Sequence, residues 1–309
     1  PGTTSDAHAI AIPHSANHVK IINSYFENVA ADGIQMGGGI FLDPINYAIT
    51  DVVVHNNTFY NPPGVSSENA VDIKGGQDVL ISNNVVSGMR GCFGNDGCTG
   101  SGGYAFVVHF TESKNITFEN NYIKDCNNGM VIHLGVETGS TAPSGPPEHI
   151  TIQNNIFKNM EGTNSEGIFI AEGVLEPIIR HNTFINAGNN RVVYVKQGSI
   201  NGIFENNLII GDTYTYAGSP MTERNNVKHN NIADAHFANP NNNDFRLTAQ
   251  SASSIDQAAS SPLDYDYACV KRPYGSAPDV GAHEATTCAP TGSWSGEVLS
   301  PPMDTQLGY

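Results

Sequence analysis

The chain has 309 residues and 30 acidic against 14 basic side chains, for a formal net charge of -16. That balance excludes nucleic acid and an anionic membrane surface as partners, because both require clustered Lys and Arg. No apolar run approaches the roughly 20 residues that cross a bilayer, and Leu, Ala, Glu, Lys and Arg are scarce beside Asn, Gly, Val, Ile and Thr, so the sequence reads as mostly β with no membrane-inserted helix.

Taken from the N-terminus, two kinds of alternating apolar segment follow one another. The first kind reads HAIAI from His8, DGIQM from Asp32, AVDIK from Ala70, FVVHF from Phe106, MVIHL from Met130, GIFIA from Gly167 and VVYVK from Val192. The second reads VKIINSYF from Val19, VVVHNNTF from Val52, VLISNNVV from Val79, ITFENNYI from Ile116, ITIQNNIF from Ile150, IIRHNTFI from Ile178, IFENNLII from Ile203 and VKHNNIAD from Val227. Aligned on the second polar position, this second set places Ser24, Asn57, Asn84, Asn121, Asn155, Asn182, Asn207 and Asn231 in one column, 24 to 37 residues apart. A repeat of that period marks stacked coils. An inward Asn at each bend can bond to the backbone and to the Asn one coil away, satisfying polar groups that a tight corner would bury. A β-sandwich of hairpins would instead need turns every 8 to 12 residues and no fixed Asn column. The expected fold is therefore all-β, a single-stranded right-handed parallel β-helix of about eight coils over residues 1–284 with an internal Asn ladder, followed by an extended tail over 285–309.

These repeats resemble the right-handed β-helix proteins of the pectate-lyase-like superfamily, over about His8 to Glu284. The stretch NDFRLTAQSASSIDQA followed by PDVGAHE is similar to the closing segment of secreted bacterial members, with Asp244, Phe245, Arg246 and Leu247 opening the last ordered coil. The resemblance implies a secreted protein acting on or binding a polysaccharide. Within it, Asp6 and His8 loosely resemble the Asp-Pro-His-Glu stretch of mannuronan epimerases, although the order here is Asp-Ala-His-Ala and the Glu is lacking.

Cys92 with Cys98 and Cys269 with Cys288 each bracket an irregular stretch that a disulfide could staple, leaving Cys126 as a thiol, which points to an oxidising, extracellular setting. Sequons stand at Asn56 and Asn115. Insertions break the period at Gly37 to Ala48, Gly88 to Gly103 and Gly135 to Pro147, and loops of this size on a repeat scaffold form the walls of a groove. The first coil starts without an amphipathic segment to cover it, so a separate N-terminal segment or self-association is expected to shield that end.

Alternation predicts which side chains face outward. Val71 and Ile73 point in, so Asp72 and Lys74 face solvent; His109 stands beside Asp72 one coil on, His133 beside His109, and Tyr194 with Lys196 two coils further, while Gln35 and Asp32 lie on the other side of Asp72. A strip of Asp, Lys, two His and Tyr holds the residue types that polysaccharide lyases and uronate epimerases need: a base for the proton α to a carboxylate, a cation to neutralise that carboxylate, and an acid near the leaving oxygen. Lys74, His109, His133 and Tyr194 are the candidate catalytic groups, and Asp72, Gln35, Lys196 and Glu172 the candidate substrate contacts. Because a charge of -16 repels a uronate polymer unless local cations reverse the field, Ca²⁺ is the cofactor this reading admits, with Asn95 and Asp96 as loop candidates. The alternatives are a non-catalytic glycan-binding or filament-forming β-helix, in which the strip only solvates a sheet face, and a glycoside hydrolase, for which paired Asp motifs are missing from the strands.

Overall fold

A computed structural model describes residues 8–37, 49–91, 103–109, 113–133, 146–162, 165–171, 173–188, 191–196, 198–199, 201–211, 214–216 and 221–286. Among them run three parallel sheets of eight strands each, and every third strand along the chain joins the same sheet. The first sheet contains Ile10–Ile12, Ile34–Met36, Asn69–Lys74, Tyr104–His109, Asn128–His133, Glu166–Ile170, Arg191–Val195 and Tyr214–Tyr216. The second runs from Asn17–Ile22 to Thr222–Arg224, and the third from Tyr25–Glu27 to Val227–His229. Each trio of strands is one coil of a parallel β-helix.

The corner between second and third sheets explains the Asn-Asn dipeptide. Its first residue takes the left-handed conformation at Asn23, Asn56, Asn83, Asn120, Asn154, His181, Asn206 and Asn225, with φ between 51 and 56°, a region that Asn and His visit more readily than most side chains. Its second residue points inward and forms the ladder. The Oδ1 of Asn121 accepts from both the backbone N–H and the Nδ2 of Asn84 at 3.0 Å, while its own Nδ2 donates at 2.9 Å to Asn155 Oδ1 and to the Ile81 carbonyl. The pattern repeats from Asn57 through Asn207.

Two expectations about the C-terminal part change. The last rung is Asn226, which accepts from Asn207 at 2.9 and 3.0 Å, and not Asn231. The final coil is shorter, and Val227–His229 pairs with Leu208–Ile210 in the third sheet, so the VKHNNIAD copy is one strand out of phase. Asp244–Leu247 opens no coil either; it pairs antiparallel with Phe237–Asn239. That hairpin and the chain after it cover the outer side of the third sheet, where Phe237, Phe245, Leu247, Tyr267 and Val280 pack against Tyr122, Ile156, Ile185, Leu208 and Ile210. The segment is fastened by Arg272, fully buried, whose Nη1 lies 2.5 Å from Glu284 Oε1 and whose Nη2 donates to Asn154 Oδ1 at 3.1 Å on the helix itself.

Inside the coils, inward side chains form continuous apolar columns such as Ile34, Val71, Phe106, Met130, Ile168 and Val193, all fully buried. Each such side chain contributes roughly 1.5–3 kcal/mol of burial. Phe26 stacks on Phe59 at 4.6 Å and Phe157 on Phe184 at 5.0 Å in the third sheet's column. Cys126 is buried and its thiol donates to the Lys124 carbonyl at 3.2 Å, with burial pushing its pKa up to about 12. Cys92, Cys98 and Cys288 lie outside the described residues.

Candidate functional site

The outer face of the first sheet carries the polar side chains that alternation leaves there. One outward column runs Gln35, Asp72, Val107, Val131, Phe169, Tyr194, and the next runs Lys74, His109, His133. The insertions noted in the sequence, Gly37 to Ala48, Gly88 to Gly103 and Gly135 to Pro147, each fall in the chain between a strand of this sheet and a strand of a neighbouring one.

Asp72 does not face solvent as alternation alone implies: it is 4% exposed. Alternation fixes where Cβ points, not what lies over it, and here the longer side chains of Lys74 and His109 fold across the carboxylate. Lys74 Nζ stands 3.5 Å from Asp72 Oδ2 and His109 Nε2 stands 3.2 Å from Asp72 Oδ1. The register also shifts one pairing. His109 sits directly beside Lys74, whereas the residue beside Asp72 is Val107, so His109 reaches the carboxylate on the diagonal. His133 is beside His109, their rings meeting edge to face at 4.1 Å and 69°. Burial, reinforced by His109, lowers the His133 pKa to about 4, so at neutral pH its imidazole is uncharged.

A second cluster adjoins the first. Asp32 is fully buried, accepts from Asn69 Nδ2 at 2.9 Å and lies 3.2 Å from His8 Nδ1. Burial first, then repulsion from Asp72 and Glu68, raises its pKa to about 8, against the lowering by Asn69 and Lys74. Gln35 joins the clusters: with its amide oxygen turned to Lys74 Nζ at 3.2 Å, its nitrogen donates to the Gly37 carbonyl at 3.3 Å. That orientation is required because Lys74 can only donate. Eight side chains in five coils thus form one network: Asn69, Asp32, His8, Gln35, Lys74, Asp72, His109 and His133. Asn69 carries no motif in the sequence; its place just before AVDIK is the sole hint.

Tyr194 does not join them. It lies three strands beyond His109, roughly 14 Å along the axis, too far to act on the same bond. It stacks instead on Phe169, with centroids 5.4 Å apart and planes within 8°, while Lys196 Nζ lies 5.4 Å from the Phe169 centroid and Arg191 Cζ 4.0 Å from that of Tyr194. Glu172, Asp6, Asn95 and Asp96 lie outside the described residues. Among the described residues no three His, Cys, Asp or Glu side chains gather as metal ligands.

The fold has relatives among solved structures. A chain described as a glycoside hydrolase superposes with a TM-score of 0.44 at 15% identity, over 72% of this chain and 37% of that one, so the present chain spans little more than a third of its length. A pectate lyase from a Bacillus species, solved in complex with trigalacturonate, superposes with a TM-score of 0.39 at 13% identity, over 74% of this chain and 85% of that one. No curated protein sequence matches. The family described as "Right handed beta helix region" matches residues 8–209, the span that holds the ladder from Asn57 to Asn207 and the whole network, and the chain belongs to that family of right-handed β-helix proteins.

Proposed function

We propose that this protein is an extracellular polysaccharide lyase that cleaves a uronate-containing glycan by β-elimination on the outer face of the first sheet. The observation that carries the reading is the buried Asp72 carboxylate holding Lys74 and His109 on either side, with an uncharged His133 against His109. A cation, an oriented imidazole and a second, neutral imidazole in adjacent coils are the parts that proton abstraction beside a carboxylate requires.

In this reading Lys74 neutralises the uronate carboxylate, which acidifies the neighbouring C5 proton. His109, oriented through Nε2 by Asp72, takes that proton; the C4–O bond breaks, its electron pair leaves with the glycosidic oxygen, and a C4–C5 double bond forms. The leaving oxygen receives a proton from water. His109 passes the proton to solvent, and His133 packs edge to face against the base ring. No step passes through a metal.

The test is a screen of pectate, alginate, glycosaminoglycans and glucuronan, with and without Ca²⁺, read by the ultraviolet absorbance of the unsaturated product. Absorbance that His109→Ala abolishes is the expected result. Silence across the panel with retained glycan binding would favour the second reading, a glycan-binding protein without turnover, for which the Phe169 and Tyr194 ring pair on the same face speaks.

A further inference from the structure

From the geometry we infer that Phe169 and Tyr194, flanked by Arg191 and Lys196, form a separate binding subsite for an acidic sugar unit several residues along the glycan from the point of chemistry. This rests on the reading of the first-sheet face as a glycan-binding surface.

The two rings are half-buried, so part of each stays open to a ligand, and they stack along the helix axis. They occupy the same outward column as Asp72, separated from it by Val107 and Val131, which are 3% and 6% exposed. The rings stand three to four strand spacings from Asp72 along the axis, roughly 14–19 Å. Aromatic rings offer an apolar surface to the C–H face of a pyranose and favour nearby cations. Two cations stand against these rings: Arg191, which also pairs with Glu166 at 2.5 Å, and Lys196. In a protein of net charge -16, a local pair of cations beside stacked rings selects a sugar that is both flat-faced and anionic.

The separation gives the inference its own signature. Only an oligomer long enough to span both clusters gains from the rings, so affinity should step up with chain length. Binding is measured by calorimetry on the full chain carrying His109→Ala, to prevent turnover, with oligogalacturonates and oligoalginates of two to eight units, and with neutral cello-oligosaccharides of equal length. The expected result is that Phe169→Ala with Tyr194→Ala weakens binding of the long acidic oligomers about tenfold and leaves the dimers unchanged. Lys196→Gln, a milder change that keeps the packing, is expected to narrow the preference for acidic over neutral oligomers. Equal affinity of the ring variant and its parent for long acidic oligomers, or equal binding of acidic and neutral oligomers by the parent, would overturn the inference. Ring-dependent binding without any unsaturated product from the unmutated protein supports this subsite and sinks the lyase reading; product formation indifferent to the rings does the reverse.

Discussion

Replacing one rung of the Asn ladder tests the winding of the chain directly. Asn121 is fully buried and spends its amide on four hydrogen bonds, two accepted from Asn84 and two donated, to Ile81 and Asn155. In Asn121→Ala the Asn84 side chain keeps its bond to the Val54 carbonyl, and Asn155 Oδ1 keeps the Asn121 backbone N–H. The Asn84 backbone N–H and the Ile81 carbonyl lose these amide partners inside the coil. At about 1–3 kcal/mol for each buried polar group so deprived, the loss is about 2–6 kcal/mol. The neighbouring Asn120 supplies the control: it sits at φ 55° and Asn120→Gly suits that conformation, so its cost should stay within about 1 kcal/mol. Urea and thermal denaturation followed by circular dichroism compare the two. If Asn121→Ala costs no more than Asn120→Gly, the ladder is not what holds the corner.

Three further outcomes are expected. His109→Ala should lower turnover on the responsive glycan by about 10²- to 10⁴-fold while the melting curve is kept, and Lys74→Met should chiefly raise KM; a His109→Ala variant with full turnover refutes the assignment. The His133 pKa, lowered from 6.5 to about 4, lets only the unfolded chain take up this proton in that interval, so the stability from keeping His133 neutral is complete above pH 6.5 and lost as the pH falls toward 4. At about 1.4 kcal/mol per pH unit that amounts to about 3 kcal/mol. Asp32, raised from 3.8 to about 8, slopes the opposite way over the same range, so the quantity to measure is the difference between the parent and His133→Gln; a difference independent of pH contradicts the buried imidazole. Arg272→Met should strip the partner from the fully buried Glu284, cost about 3–5 kcal/mol, and free residues 232–286 to limited proteolysis before the coils melt; protease resistance equal to the parent would show that the segment is held elsewhere.

The winding was legible because each Asn-Asn pair encodes two different demands at adjacent positions, a left-handed backbone and an inward amide, and few other folds repeat both. Alternation put Asp72, Lys74, His109 and His133 on the outward face, but it set His109 beside Asp72, whereas the register sets it beside Lys74. Alternation could not show that Lys74 and His109 lie down over Asp72, because that depends on side-chain length and rotamer rather than on period. Nor could it find Asn69, whose partner Asp32 is 37 residues away. At the C-terminal end the Asn230-Asn231 dipeptide imitates a corner after a strand of the wrong sheet, and the Asp244 hairpin follows ordinary antiparallel pairing, which a search for coils does not weigh.

The eight corners between the second and third sheets contain two residues each without exception, from Asn23-Ser24 to Asn225-Asn226. Length variation is thereby confined to the junctions on either side of the first sheet. A chain with this scaffold can change length at those junctions while the opposite edge stays locked by amide contacts. Architecture is in this way anchored along one edge, and variation is borne by the other two.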